Sequence, residues 1–175
     1  MKPLFTSAFG VHFSIAFCLA FGLGLLSPAA ALDKPAAASP ALAAAAPTQQ
    51  QHAEALKVIG QLHAAIKMGD SLLAERVLAR DVQIFEQGHR ESSRAEYLGH
   101  HFLEDAAYAK GVTTTITAQL AHGVGDTVLV MEEAVTVGTY KGKSVNATTL
   151  GSYVLARRSG LWQVMHIHWS SRKRN

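Results

Sequence analysis

From residue 50 onward, the apolar positions of the chain first follow a helical period. One side of a helix is formed by residues spaced three and four apart: Leu56, Ile59, Leu62, His63 and Ile66. Gly69 ends this helix, because glycine readily adopts the left-handed conformation that follows a helix C-terminus. Asp70 is a typical N-cap residue and predicts a second, short helix that carries Leu73 and Val77.

The pattern then predicts one strand and a third helix. The strand is DVQIFE, at residues 81–86. Ser93 and Glu96 have the spacing of a capping box, and Gly111 ends the helix that they open. One face of this helix carries three polar side chains at four-residue spacing: Tyr97, His101 and Asp105.

After residue 112 the period of the pattern changes to two. Alternating positions predict four strands, at about 113–122, 127–140, 144–157 and 161–170. The intervening segments are rich in glycine and short enough to make hairpins. Helices followed by a run of hairpin-connected strands indicate an α+β fold, with three N-terminal helices packed on a curved, largely antiparallel sheet.

The composition separates the first 47 residues from the rest, because 30 of these 47 are hydrophobic against 55 of the remaining 128. Residues 1–31 have the features of a signal peptide: Lys2, an apolar run over 8–26, and alanines before the expected cleavage site. An uncleaved membrane anchor is the alternative. Residues 32–47 are an Ala/Pro-rich linker, and residues 48–175 are the folded domain. We therefore expect a periplasmic or secreted protein.

Charge and cysteine content limit the chemistry of this domain. The only cysteine, Cys18, lies in the predicted signal peptide, so the exported domain has no thiol for disulfides, nucleophilic catalysis or metal binding. The net charge of +3 includes three basic residues near the C-terminus, which leaves the folded body nearly neutral. We expect no nucleic-acid partner, and no membrane association after signal cleavage. The sequence has no phosphate-binding or dinucleotide-binding glycine motif, so no cofactor is expected.

In three sequence features the chain resembles the nuclear-transport-factor-2-like superfamily, particularly SnoaL-like proteins and the association domain of calcium/calmodulin-dependent protein kinase II. Phe85-Glu86 ends the first strand, Gly125-Asp126 lies at a hairpin, and residues 162–170 have the pattern Trp-Gln-x-x-His-x-His-x-Ser. The resemblance covers residues 52–172. It implies a cone in which a curved sheet and helices enclose a pocket.

The same resemblance bears on the ligand. In the kinase association domain, arginines line a cavity that accepts small carboxylates, and this chain has Val145, Tyr153 and Trp169 at the corresponding positions. The resemblance therefore implies an uncharged pocket for a small apolar or aromatic ligand. Strand alternation adds Met165 to the residues expected to face the pocket, on the same side as Ile167 and Trp169.

The alternation places His166 and His168 on the other face of the last strand, together with Val164. That face commonly packs against a second subunit in this fold, so we expect a homodimer. Two histidines supply two metal ligands, and a metal site needs at least a third. We expect no metal.

Candidate catalytic groups are Glu133 and His101. Glu133 interrupts an apolar row on strand 127–140, where burial would raise its pKa toward that of a general base. A bulge at Glu132-Glu133 that turns both side chains outward is the alternative. Glu86 and Tyr97 could also reach the pocket.

Three functions remain open from the sequence. The first is an exported domain that binds a small molecule. The second is a cofactor-free isomerase, cyclase or hydrolase, and the third is an assembly module without a ligand.

Overall fold

The computed structural model describes residues 48–175, and the predicted signal peptide and linker lie outside these residues. The helices are α1 (Gln49–Met68), α2 (Ser71–Val77), α3 (Arg94–Gly99) and α4 (His101–Gly111). The strands are β1 (Leu78–Glu86), β2 (His89–Glu91), β3 (Val112–Val124), β4 (Thr127–Tyr140), β5 (Lys143–Arg158) and β6 (Leu161–Lys173). The α+β class and the four long strands are confirmed.

Local side-chain hydrogen bonds fix the ends of the first helices. The Thr48 hydroxyl accepts from the backbone N–H of Gln51, whose side chain in turn accepts from the N–H of Thr48. Gly69 ends α1 in the left-handed conformation, with φ of 71°. The Asp70 carboxylate then accepts from the N–H of Leu73 at 2.9 Å and caps α2, as predicted.

The prediction of three helices is wrong, because the third is two helices. Ser93 caps α3 by accepting from the N–H of Glu96 at 3.1 Å, and the Glu96 carboxylate accepts from the N–H of Ser92. The chain leaves helical geometry at His100, with φ of −123° and ψ of −83°, and α4 begins at the next residue. The described residues therefore contain four helices.

The six strands form one mixed sheet in the order β2-β1-β6-β5-β4-β3. All neighbouring strands are antiparallel except β1 and β6, which are parallel. The sequence did not predict β2, a strand of three residues that follows the turn at Gln87-Gly88. β6, the last strand, lies between β1 and β5.

The inner face of the sheet packs against the helices. The largest fully buried side chains come from both layers and include Ile59, Leu62, Tyr97, Phe102, Leu155 and Ile167. They form one core.

A bulge at Met165 changes the alternation of β6. Val154 pairs with His166 and Leu155 pairs with Val164, which leaves Met165 without a partner on β5. Val164 and Ile167 are consequently both fully buried on the inner face. The predicted position of Val164 on the outer face is wrong, whereas His166 and His168 do lie outside, beside Phe85 of β1.

Candidate functional site

A cavity of about 1010 Å³ lies between α1, α4 and the inner face of the sheet. Its walls are formed by side chains of α1, by Glu86, Gln87 and His89, by α4 and by residues of β3 to β6. This volume is large enough for a small organic molecule. Two groups of titratable side chains line it.

The first group centres on the hydroxyl of Tyr153. The indole Nε1 of Trp169 donates to this oxygen at 2.9 Å, and Nε2 of His63 lies 3.1 Å from it. The same His63 nitrogen is 3.2 Å from Oε2 of Glu132, whose Oε1 accepts from the Gln119 side chain at 2.6 Å. Helix α1 and strands β3 to β6 thus meet in one hydrogen-bonded network.

The environment sets the protonation of this network. Burial by itself raises the pKa of Glu132, but hydrogen bonds from His63 and Gln119 and the charge of His63 outweigh it and lower the pKa. Burial, together with the charge of Glu132, raises the pKa of Tyr153 far above its ordinary value. Glu132 therefore stays ionised and Tyr153 stays protonated at neutral pH.

The second group contains Glu86, at the end of β1, and Asp105, on α4. The hydroxyl of Tyr97, which is fully buried behind the cavity wall, donates to Asp105 Oδ2 at 2.8 Å. Burial and the charge of Asp105 raise the pKa of Glu86 to about 7. Burial likewise raises the pKa of Asp105, against the lowering effect of the Tyr97 hydrogen bond.

His101 lies at the start of α4 and lines the same cavity. Its Nδ1 contacts the buried carboxylate of Glu91 on β2. The His89 ring packs edge-on against the His101 ring at 5.8 Å. This contact ties α4 to the β1–β2 hairpin.

The predicted site residues fall into two sets. Four of them line the cavity: Tyr153, Trp169, Glu86 and His101. Tyr97 does not line the cavity itself, but its hydroxyl donates to Asp105, which does. The cavity wall does not include Met165, Val145 or Glu133. Met165 occupies the β6 bulge, and Val145 lies opposite Gly138 near the start of β5.

The expected burial of Glu133 in an apolar row is wrong. Glu133 is exposed on the outer face, and its neighbour Glu132 is 7% exposed on the inner face. The pairing of β4 with β5 is continuous through both residues, and the bulge beside Glu133 has its extra residue, Thr117, on β3. The alternative of a bulge at Glu132-Glu133 that turns both side chains outward is therefore also wrong. Both rows of β4 are apolar, and alternation alone could not tell which row faces the helices.

The expectation of an uncharged pocket is wrong as well. Carboxylates from four residues line the cavity: Glu86, Glu104, Asp105 and Glu132. The sequence did not indicate Glu132 as a cavity residue and did not single out His63 or Asp105. His63 lies on the apolar side of the predicted first helix, and Asp105 lies on the same face of the predicted third helix as Tyr97 and His101. Their spacing was the signal that could have identified them.

Within residues 48–175, no group of three or more metal-ligating side chains has the geometry to hold a metal ion. No helix in this same range has the length and apolar character needed to cross a membrane.

A curved mixed sheet packed on helices around a cavity defines the nuclear-transport-factor-2-like class of proteins. The family model for the calcium/calmodulin dependent protein kinase II association domain matches residues 51–173, and the chain belongs to this family. No curated protein matches the sequence.

Solved structures give the same fold. A proposed ketosteroid isomerase from Shewanella frigidimarina is 39% identical, with a TM-score of 0.66 over 67% of this chain and 94% of that chain. The calcium/calmodulin-dependent protein kinase II hub of S. rosetta is 20% identical, with a TM-score of 0.62 over 72% of this chain and 99% of the hub. A protein of unknown function from Pseudomonas putida is 19% identical, with a TM-score of 0.60 over 70% of this chain and 87% of that one.

Proposed function

We propose that the domain binds a small organic molecule in the cavity between α1, α4 and the sheet. The observation that supports this most strongly is the network around Tyr153, in which a buried tyrosine and a buried carboxylate face open space. Buried polar groups are costly to maintain, and a core without a ligand would be filled by apolar side chains. The aromatic surfaces of Trp169 and Tyr153 suit a ligand with an apolar or aromatic body.

The binding function can be tested by mass spectrometry on the protein purified from the compartment where it accumulates. We expect an organic molecule to be released on denaturation of the wild type and to be absent from Trp169→Ala. Leu72→Ala, on α2, where the leucine is 67% exposed, serves as the control and should retain the molecule. Equal recovery from all three proteins, or no recovery from the wild type, would contradict the proposal.

Acid–base catalysis is a second candidate function, and the contact between Glu132 and His63 favours it. The ionised Glu132 carboxylate can accept a proton from a substrate, as a weaker base than an unperturbed glutamate because its pKa is lowered, while the Tyr153 hydroxyl donates a hydrogen bond to a developing negative charge. Likeness to a proposed ketosteroid isomerase at 39% identity supports the same chemistry. No cofactor is required for such a proton transfer.

The catalytic candidate can be tested with an unsaturated ketosteroid whose double bond migrates into conjugation with the carbonyl. We expect Glu132→Gln to lower kcat by about 100-fold, as is typical for loss of a general base. Glu133→Gln, one residue away on the opposite face, should leave kcat unchanged. No turnover by the wild type would exclude this substrate class.

The domain also has a surface suited to a homodimer. The outer face of the sheet exposes large apolar side chains, among them Leu120, Val137 and Leu150. Hubs and association domains in the same family support assembly of several copies. We propose that two copies pack through this outer face.

Export is the remaining part of the proposal. We propose that residues 1–31 direct the chain to the periplasm or the extracellular space and are then removed. Cell fractionation, followed by the intact mass of the recovered protein, tests this. A cytoplasmic protein that retains residue 1 would refute it.

A further inference from the structure

The cations of the cavity are already bound within the protein. Lys67 donates to the backbone carbonyl oxygens of Ala109 and Val112, at the C-terminal end of α4. Lys141 pairs with Glu104 at 3.4 Å. Lys67 is held by backbone oxygens and Lys141 lies in an exposed pair at the rim, so an anionic ligand deeper in the cavity would meet carboxylates and histidines but neither lysine.

The carboxylates of Glu86 and Asp105 differ from the two lysines in their partners. Among residues 48–175, neither carboxylate takes part in an ion pair. Asp105 accepts a hydrogen bond from Tyr97 and lies near His101, whose Nδ1 already contacts Glu91, and the charge of Asp105 repels that of Glu86. A cation placed between them would relieve this repulsion and would be attracted strongly in a partly desolvated site.

An aromatic surface lies directly beside Glu86. Glu86 is the cross-strand neighbour of Trp169 in the parallel pairing of β1 with β6. Indole is the aromatic side chain that binds organic cations best. The cavity rim already holds one ammonium in this way, because Lys141 Nζ lies 5.1 Å from the ring centre of Tyr140 while it pairs with Glu104.

We propose that the ligand of this cavity is a small organic amine. Its protonated nitrogen lies between Glu86 and Asp105, and its apolar or aromatic body packs against Trp169. This inference rests on the proposed binding function and names its ligand class. The arginine-lined cavity of the kinase association domain accepts small carboxylates. The ligand proposed for this chain has the opposite charge.

Three probes of the same shape test the charge preference: 2-phenylethylamine, 2-phenylethanol and phenylacetate. Binding to the full chain is measured by isothermal titration calorimetry at low and moderate salt. We expect the amine to bind at least about tenfold more tightly than the alcohol, because of its charge-assisted hydrogen bonds. Phenylacetate should not bind measurably, and added salt should weaken only the amine.

Glu86→Gln tests the placement of the nitrogen, with Glu133→Gln on the outer face as the matched control. We expect Glu86→Gln to lose at least about tenfold in affinity for the amine while its affinity for the alcohol stays the same. Glu133→Gln should bind both probes as the wild type does. Circular dichroism of both variants verifies that they are folded.

The outcomes separate this inference from the proposed function. If the alcohol binds and the amine binds no more tightly, or if Glu86→Gln keeps full affinity for the amine, the amine preference is overturned and the binding function stands. If none of the three probes binds and no molecule is released from the purified protein, both are overturned.

Discussion

The ring of Tyr153 lies directly against Gly151 on the inner face of β5. A Cβ placed on Gly151 would be 2.7 Å from the Tyr153 hydroxyl oxygen and 2.9 Å from its Cε2 atom. Only a residue without a side chain lets the ring lie along the strand in this way. The glycine thereby brings the hydroxyl to Trp169 and His63, and the geometry of the site depends on it.

Gly151→Ala should therefore disturb the site. The Tyr153 ring is 2% exposed and bonded at its tip, so it cannot move aside freely. We expect a loss of about 1–3 kcal/mol in the free energy of unfolding, the usual cost of overpacking. Chemical denaturation measures this loss. Gly60→Ala is the control, because a Cβ there meets nothing within 4 Å on α1 and should stabilise the helix by up to about 1 kcal/mol.

Glu132 and Glu133 offer a comparison of adjacent carboxylates on opposite faces. The Glu132 carboxylate pairs with His63 and accepts a hydrogen bond from the Gln119 side chain. Because Glu132→Gln removes its charge, we expect this substitution to lower the free energy of unfolding by about 1–3 kcal/mol. Glu133→Gln changes an exposed side chain and should stay within about 0.5 kcal/mol of the wild type. Equal effects in denaturant titrations would show that the inner network contributes nothing to stability.

The raised pKa of Glu86 makes a prediction about pH. The folded protein holds this proton up to about pH 7, whereas the unfolded chain releases it near 4.5. Between these values the folded state binds more protons, so the free energy of unfolding falls as the pH rises. Allowing for solvent screening of a partly exposed group, the decrease amounts to about 1–2 kcal/mol.

Glu86→Gln should remove that decrease and be the more stable protein above pH 7. Glu132, with its lowered pKa, acts in a different window, because its contribution is lost only as the pH falls below about 4.5. Thermal unfolding of the wild type and of Glu86→Gln from pH 5 to pH 8 measures how the stability of each depends on pH. Parallel curves would mean that Glu86 is not perturbed.

The outer face of the sheet makes a prediction about assembly. Leu150 is 52% exposed there, and Leu150→Lys should dissociate a dimer that packs through this face. Leu72→Lys on α2, where the leucine is 67% exposed, is the control and should leave the mass unchanged. Light scattering after size-exclusion chromatography reports the mass. A dimer that survives Leu150→Lys uses another surface.

Local signals explain which parts of the fold the sequence predicted. Gly69, Asp70 and Ser93 act on their own neighbouring backbone groups, so their residue types were enough to locate helix ends. The break at His100 has no comparable signal. Its backbone conformation accompanies the contact of His101 with Glu91, a residue of a strand that was not predicted.

The site was harder to predict for two reasons. It depends on which face of each strand points toward the helices, and on contacts between residues that are far apart in the sequence. Alternation gave two apolar rows on β4 and could not choose between Glu132 and Glu133. The bulge at Met165 reverses the alternation of inner and outer positions along β6. The predicted inner position of Trp169 is therefore correct, whereas the predicted outer position of Val164 is not. His63 and Glu132 meet only after α1 packs on the sheet, and no local pattern encodes that contact.

The position of β6 has a consequence for the synthesis of the chain. This strand is made after the other five strands of the sheet, yet it separates β1 from β5 and joins the two parts of the sheet. Until it is complete, the β1–β2 hairpin has no strand beside it on that edge, and the partner edge of β5 is open. Such edges pair readily with other chains, so the interval before the thirteen residues of β6 emerge is when the nascent protein most needs protection from aggregation.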